Sequence, residues 1–201
     1  LFILESRKIK HPDIECLFTT EEETTFHGAE NFDYSKMKGK KLVNIDHAKD
    51  DSIVIGCDAD VCNQYIFEGK HIITNMPAYR ITISGVEGGN SGWQIERSSK
   101  NAIMILAKII QKLLEEKKVY ICEFSGGNSE NDIATSCECI IKTDMKDIEN
   151  KIKSNIEEKN ICVQIDEIDN EMSFSFEDSK NIVEEITDLK QGLIPNKNNI
   201  I

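Results

Sequence analysis

Apolar and polar residues follow two different periods in the part of the chain after residue 76. Residues 78–86 alternate between apolar and polar side chains, which predicts a half-buried strand. Residues 101–116 repeat apolar side chains at helical spacing, which predicts the strongest helix. The same patterns predict strands at residues 119–124, 135–143 and 161–165, and a helix at residues 145–156 capped by Asp144. This order predicts a ferredoxin-like (βαββαβ) fold, in which helices cover one face of a four-stranded antiparallel sheet.

Shorter apolar runs lie on both sides of this region. Residues 14–19, 42–46 and 52–57 predict strands of an α/β domain, and residues 1–5 predict the end of a helix. After the antiparallel sheet, residues 172–176 predict a further strand and residues 180–189 a further helix. The overall class predicted is therefore α/β with an α+β second domain.

Three consecutive carboxylates, Glu21, Glu22 and Glu23, follow the strand predicted at residues 14–19. Ligands and catalytic groups of open α/β sheets gather at the carboxyl ends of the strands. The triplet is therefore the first candidate for chemistry. Taken alone, a glutamate run in an acidic protein is more typical of a solvated loop.

Composition excludes several classes of protein. The 201 residues carry a formal net charge of -12, which argues against a nucleic-acid partner because phosphate binding needs a basic surface. The most apolar stretch, residues 102–114, is too short to cross a bilayer and contains Lys108 and Gln111. The amino terminus has no secretory signal. Seven cysteines without a C-x-x-C pair favour reduced thiols in a cytoplasmic protein.

Six short motifs give the chain a resemblance to a known family. In order they are residues 19–29 (TTEEETTFHGA), 39–46 (GKKLVNID), 54–57 (VIGC), 79–92 (YRITISGVEGGNSG), 101–102 (NA) and 126–133 (GGNSENDI). Together they resemble the aminoacyl-histidine dipeptidases, also called Xaa-His or cytosolic non-specific dipeptidases, a branch of the two-zinc metallopeptidases. The resemblance implies a partial catalytic domain at residues 1–75, a lid domain at residues 76–178, and the start of a return to the catalytic domain at residues 179–201.

The resemblance also implies roles for three carboxylates. Glu22 takes the position of the general base, Glu23 that of a zinc ligand, and Asp46 that of a ligand to the second zinc ion. In such a site two zinc ions activate a water molecule, and a carboxylate that does not bind the metal accepts its proton. The implied reaction is hydrolysis of dipeptides such as Xaa-His.

Three departures from the family pattern predict a chain with little or no activity of its own. Asn90 stands where the family has the lid histidine, and Glu130 stands where it has an arginine near the substrate carboxylate, whereas the neighbouring Asn131 is retained. Only two of the five metal ligands are recognised, although a catalytic zinc ion normally has three protein ligands. Zinc binding is therefore expected to be weak or absent.

A second interpretation is a non-catalytic homologue, or a lid that acts as a dimerisation or binding module. An unrelated acidic scaffold is a third, if the order of the motifs is a coincidence. The lid is expected to form a homodimer through residues 98–124, because the helix there has the consecutive apolar residues Ile103, Met104, Ile105 and Leu106. Dipeptides are the expected substrates.

Overall fold

The structure of the chain is a computed structural model. The structure describes residues 2–6, 8–45, 51–55, 66–91, 95, 100–156, 160–169 and 172–192. These form two compact units, residues 1–55 and residues 56–201, which are described separately.

The first unit contains only short helical segments within its described residues. Helix α1 is Phe2–Glu5, helix α2 is His27–Glu30, and a 3-10 turn spans Tyr34–Lys36. The strands predicted at residues 14–19, 42–46 and 52–57 do not form in the parts that are described, so these predictions are wrong. The physical reason is that a strand needs a neighbouring strand to bond its backbone, and a second layer to bury its side chains. Phe18 and Ile55 are 79% and 99% exposed, so no second layer covers them among the residues that the structure describes.

The second unit is built on a four-stranded antiparallel sheet. A short strand β1, His71–Ile73, precedes it, and the sheet begins with strand β2, Ala78–Ser84. The chain continues with the two-residue strand β3 (Gly89–Asn90), helix α3 (Ala102–Glu116) and strand β4 (Tyr120–Gly126). It then forms the two-residue strand β5 (Asp132–Ile133) and strand β6 (Cys137–Lys142). Helix α4 (Ile148–Ser154) and strand β7 (Cys162–Ile168) complete the motif. The sheet order is β4-β6-β2-β7 with every pair antiparallel, which confirms the predicted ferredoxin-like arrangement.

Both helices of this motif pack on the same face of the sheet. Leu106 of α3 and Ile152 of α4 are fully buried in one cluster with Ile81 and Ile141 of the sheet. Asn101 caps α3, since its side chain accepts a hydrogen bond from the Ile103 amide at 2.9 Å. Burial of these large aliphatic side chains stabilises the unit by about 2 kcal/mol each.

Helix α4 begins later than predicted. Its N-cap is Asp147, in the left-handed region at φ 57°, and not Asp144. Asp144 instead forms an ion pair with Lys117 at 3.3 Å, which holds its carboxylate beside the end of α3. The prediction that Asp144 caps the helix is therefore wrong.

Two further elements complete the unit. Strand β8, Met172–Phe174, pairs antiparallel with β1, and helix α5, Phe176–Asp188, follows directly after Ser175. Helix α5 packs against α3, and Val183 belongs to the core. Gln111 of α3 donates a hydrogen bond to Thr187 of α5 at 3.1 Å. The consecutive apolar residues of α3 therefore pack against other elements of the same chain.

Candidate functional site

The glutamate triplet lies in a closed loop of the first unit. Three successive amides, those of Thr24, Thr25 and Phe26, donate to the carbonyl oxygen of Glu21, the last at 2.8 Å. The Thr25 hydroxyl donates to the Glu21 carboxylate. Glu21 itself is in the left-handed region at φ 59°. Glu21, to which the family resemblance gives no catalytic role, therefore organises the loop.

Glu22 and Glu23 are exposed at the turn of this loop. None of the described residues donates a hydrogen bond to either carboxylate or forms an ion pair with it. They are free to accept a ligand, but nothing that is described fixes their orientation. The solvated-loop interpretation matches this geometry within the first unit.

Gly28 determines how the loop closes. Its amide donates to the Thr20 carbonyl oxygen at 3.3 Å. A Cβ atom at this position would lie 2.5 Å from the Thr20 backbone nitrogen and 2.8 Å from the carbonyl oxygen. Because backbone atoms cannot move aside as the end of a side chain can, only glycine permits this approach. The glycine of this motif is therefore required by the backbone geometry of the loop.

The described residues do not form a zinc site. Asp46, predicted as the ligand of the second zinc ion, lies outside them. Within the described ranges no group of three His, Cys, Asp or Glu side chains is placed to hold a metal ion. His27, next to the loop, has its Nδ1 3.2 Å from Asn31 Nδ2. A zinc ion normally takes three or four protein ligands, so Glu22 and Glu23 alone do not match its requirements.

The lid motifs that were predicted to contact substrate are brought together in the second unit. Strand β3 pairs with β5, which places Asn90 opposite Asp132. The amide and hydroxyl of Ser91 both donate to the carbonyl oxygen of Asn131, at 2.8 and 2.9 Å. Asn131 therefore holds the two motifs together through its backbone. The sequence predicted both segments but not their pairing.

Glu130 lines an open cavity of about 330 Å³ beside this pair of strands. The start of α3 contributes Asn101 and Ile103 to the lining, and the loop after β4 contributes Gly126, Gly127, Asn128 and Ser129. Asp132 and Ala134 complete the lining. The carboxylates of Glu130 and Asp132 give the cavity an acidic wall, which repels anions.

Three thiols of strands β4 and β6 are not candidates for chemistry. Burial raises the pKa of Cys122 to about 11 and that of Cys137 to about 12, and it holds the pKa of the fully buried Cys139 well above its ordinary value. The thiolate is the reactive and metal-binding form of cysteine. These three thiols therefore stay protonated, and Cys137 and Cys139 belong to the buried core.

The structural role of Ser179 could not be recognised from the sequence. Ser179 on α5 is fully buried, and its hydroxyl accepts a hydrogen bond from the Ile121 amide of β4 at 2.9 Å. A serine one turn inside a helix is an ordinary residue in a sequence. Only the packing of α5 beside β4 reveals its role.

Comparisons with known proteins agree with this geometry. The peptidase dimerisation domain, M20_dimer, matches residues 96–161. The cytosol non-specific dipeptidase of Escherichia coli (strain K12) is 24% identical over an alignment of 185 residues, which covers 85% of this chain and 38% of that protein. The aminoacylhistidine dipeptidase of Vibrio alginolyticus has a solved structure that matches with a TM-score of 0.65 at 22% identity, over 96% of this chain and 42% of that one.

Residues 96–161 match the dimerisation domain of the M20 peptidases, and the second unit has the fold of that dimerisation lid. These two relatives are an aminoacylhistidine dipeptidase and a cytosol non-specific dipeptidase, the branch that the six motifs resemble. The chain spans about two fifths of the length of these two relatives. No helix in the described part of the chain is long and apolar enough to cross a membrane.

Proposed function

We propose that this chain supplies the dimerisation lid of a zinc-dependent dipeptidase-like protein, with residues 1–75 as part of the catalytic domain and residues 179–201 as the start of its return. The observation that carries the proposal is the sheet order β4-β6-β2-β7 in a unit that matches a peptidase dimerisation domain. In this proposal the lid forms a homodimer. The substrate class of the whole protein is dipeptides, including those that end in histidine.

The roles proposed for single residues follow from their motif positions. Glu22 is the general base, and Glu23 and Asp46 are metal ligands. Asn90 and Asn131 stand at the substrate, where the pairing of β3 with β5 supports a shared position. An amide at residue 90 can still donate a hydrogen bond to a carbonyl oxygen. It lacks the charge of a histidine ring, and loss of an oxyanion donor typically lowers the rate by about 10²–10³-fold.

On its own the chain is proposed to be inactive. The described residues hold no group of three metal ligands, and Glu130 gives the lid cavity an acidic wall. A carboxylate in that place disfavours the carboxylate end of a dipeptide by charge repulsion.

A dipeptidase assay tests the proposal. The purified chain, supplied with zinc, should not hydrolyse a dipeptide that ends in histidine above background. Turnover that disappears in Glu22→Ala and persists in Glu30→Ala, an exposed glutamate on α2, would show a complete catalytic site and contradict the proposed inactivity.

The acidic cavity favours a second candidate function, a non-catalytic dimerisation or binding module. This candidate predicts that Glu130→Arg, introduced into a longer chain that carries all metal ligands, leaves hydrolysis absent. The dipeptidase proposal predicts that the same change raises it. The two candidates are thereby separated by one variant.

A further inference from the structure

Two consecutive backbone amides of the first unit hold a carboxylate. The amide of Lys38 donates to both oxygens of the Glu15 carboxylate, at 3.1 Å to Oε1 and 2.9 Å to Oε2. The amide of Gly39 donates to Oε2 at 2.5 Å. Successive backbone amides that point to one place form a concave anion site of the kind that binds phosphate groups. Residues 38 and 39 therefore form an anion site, which a carboxylate of the same chain occupies.

This anion site is open to solvent. Glu15, Lys38 and Gly39 are all exposed. Gly39 has no side chain beside the bound oxygen, and a Cβ atom added there would lie 3.2 Å from Glu15 Oε2. The Glu15 side chain can rotate away from the two amides without disturbing a packed core. An anion from solution can then reach them.

The segment that carries the two amides is rich in lysine. Residues 36–41 include four exposed lysines, Lys36, Lys38, Lys40 and Lys41. Lys36 Nζ lies 3.8 Å from a carboxylate oxygen of Asp33, whereas the other three lysines form no ion pair within the described ranges. In a chain of net charge -12 this segment is a local concentration of positive charge. It can balance more negative charge than the single carboxylate of Glu15 supplies.

The charge of the segment favours a phosphate group over a carboxylate. A phosphate monoester carries about -1.5 to -2 charges at neutral pH and has three strong acceptor oxygens. Two amides satisfy one or two of these oxygens, and the remaining charge suits lysine ammonium groups, which are common phosphate ligands. Six residues are enough for one phosphate group. A nucleic-acid backbone would need a more extended basic surface.

We propose that the amides of Lys38 and Gly39, together with the ammonium groups of residues 38, 40 and 41, bind the phosphate group of a small molecule. Glu15 occupies this site when no phosphate is bound, so it competes with the ligand and limits its affinity. The site lies within the first unit. It does not depend on the roles proposed for Glu22 and Glu23.

Nuclear magnetic resonance titration of the full chain with inorganic phosphate, at constant ionic strength, tests the site. The amide signals of Lys38 and Gly39 should shift and saturate. Glu15→Gln should bind phosphate about tenfold more tightly, because the ligand no longer displaces a carboxylate held by charge-assisted hydrogen bonds at an exposed site. Glu30→Gln removes the same charge from an exposed glutamate of α2 and is the matched control, for which the affinity of the unchanged chain is expected.

A lysine variant keeps the test independent of Glu15→Gln. Lys40→Gln, in the otherwise unchanged chain, should weaken phosphate binding about threefold, as expected for loss of one exposed charge pair. Lys112→Gln, at an exposed lysine of α3, should not weaken it. Glycerol 3-phosphate in place of inorganic phosphate shows whether the site prefers a phosphate ester or the free ion.

Three results would overturn the inference. The first is that the amides of residues 38 and 39 do not shift with phosphate in either the unchanged chain or Glu15→Gln. The second is an equal phosphate affinity of these two chains, which would show that Glu15 does not occupy the site. The third is that acetate binds as tightly as phosphate, which would show that the site does not select a phosphate group.

Discussion

The hydroxyl of Ser179 accepts the Ile121 amide at 2.9 Å, and both groups are buried. Through this bond α5 provides a hydrogen-bond acceptor for an amide of the outer strand β4, which has no neighbouring strand on that side among the described residues to accept it. The bond ties the last described helix to the outer strand β4 of the lid sheet, although 58 positions separate the two residues.

Ser179→Ala should therefore destabilise the second unit. The change leaves the Ile121 amide buried without an acceptor, which costs about 1–3 kcal/mol. Urea denaturation followed by circular dichroism should show a lower midpoint than for the unchanged chain. Ser154→Ala, an exposed serine on α4, is the control and should leave the midpoint nearly unchanged. Equal midpoints for the two variants would contradict the role of Ser179.

The hydrogen bonds to the Asp178 carboxylate should make the stability of the second unit depend on pH. The Ser175 hydroxyl and the Lys70 amide both donate to its carboxylate, at 2.6 and 2.9 Å, and these bonds hold the pKa of Asp178 below its ordinary value. A carboxyl group with a lowered pKa in the folded state stabilises the fold above its unfolded pKa, and this contribution is lost as the pH falls through the folded pKa.

Asp178→Asn should accordingly be less stable than the unchanged chain at neutral pH, and the difference should shrink as the pH falls below about 4. Thermal unfolding at a series of pH values measures this. Glu177→Gln is the control, because Glu177 lies in the same first turn of α5. A difference for Asp178→Asn that is constant from neutral to acidic pH would refute the prediction.

Gly28→Ala should open the glutamate loop of the first unit. The added methyl group would lie 2.5 Å from the Thr20 backbone nitrogen, so the backbone must shift. Hydrogen exchange should become faster at the amides of Thr25 and Phe26, which bond to Glu21. At Gly39 the same change meets only the end of the Glu15 side chain, so Gly39→Ala should leave these amides protected. Unchanged hydrogen exchange in Gly28→Ala would show that the close approach of residue 28 to the Thr20 backbone does not require glycine.

The lid fold could be predicted from the sequence because its elements carry strong local patterns. Residues 78–84 alternate and residues 102–116 keep a helical period, and both patterns describe side chains that face one core. The pairings of β1 with β8 and of β3 with β5 could not be predicted. Strands of two or three residues have no periodicity, and their positions are fixed by distant partners.

The predicted strands of the first unit failed for a related reason. Residues 14–19 have the composition of a strand, but composition does not supply the neighbour that a strand must bond. For the candidate site, the sequence identified Glu22, Glu23, Asn90 and Glu130 by motif, and the structure brings only Asn90 near residues 130–132 through β3 and β5. The role of Glu21 in closing the loop required the positions of the backbone amides.

Zinc binding by the isolated chain should be weak. Glu22 and Glu23 offer oxygen ligands without a third His, Cys, Asp or Glu beside them in the described residues. Isothermal titration calorimetry of metal-free protein should show no tight binding, and Glu23→Ala should change the trace no more than Glu30→Ala does. Two tightly bound zinc ions that are lost in Glu23→Ala would reveal ligands outside the described ranges.

The central claim is that the second unit is a lid that joins two copies of the chain. Sedimentation equilibrium of the unmodified protein, from below one micromolar to tens of micromolar, tests it most directly. The account predicts a reversible shift from a species of 22.8 kDa to one of twice that mass as the concentration rises. A single species of 22.8 kDa at every concentration would contradict it.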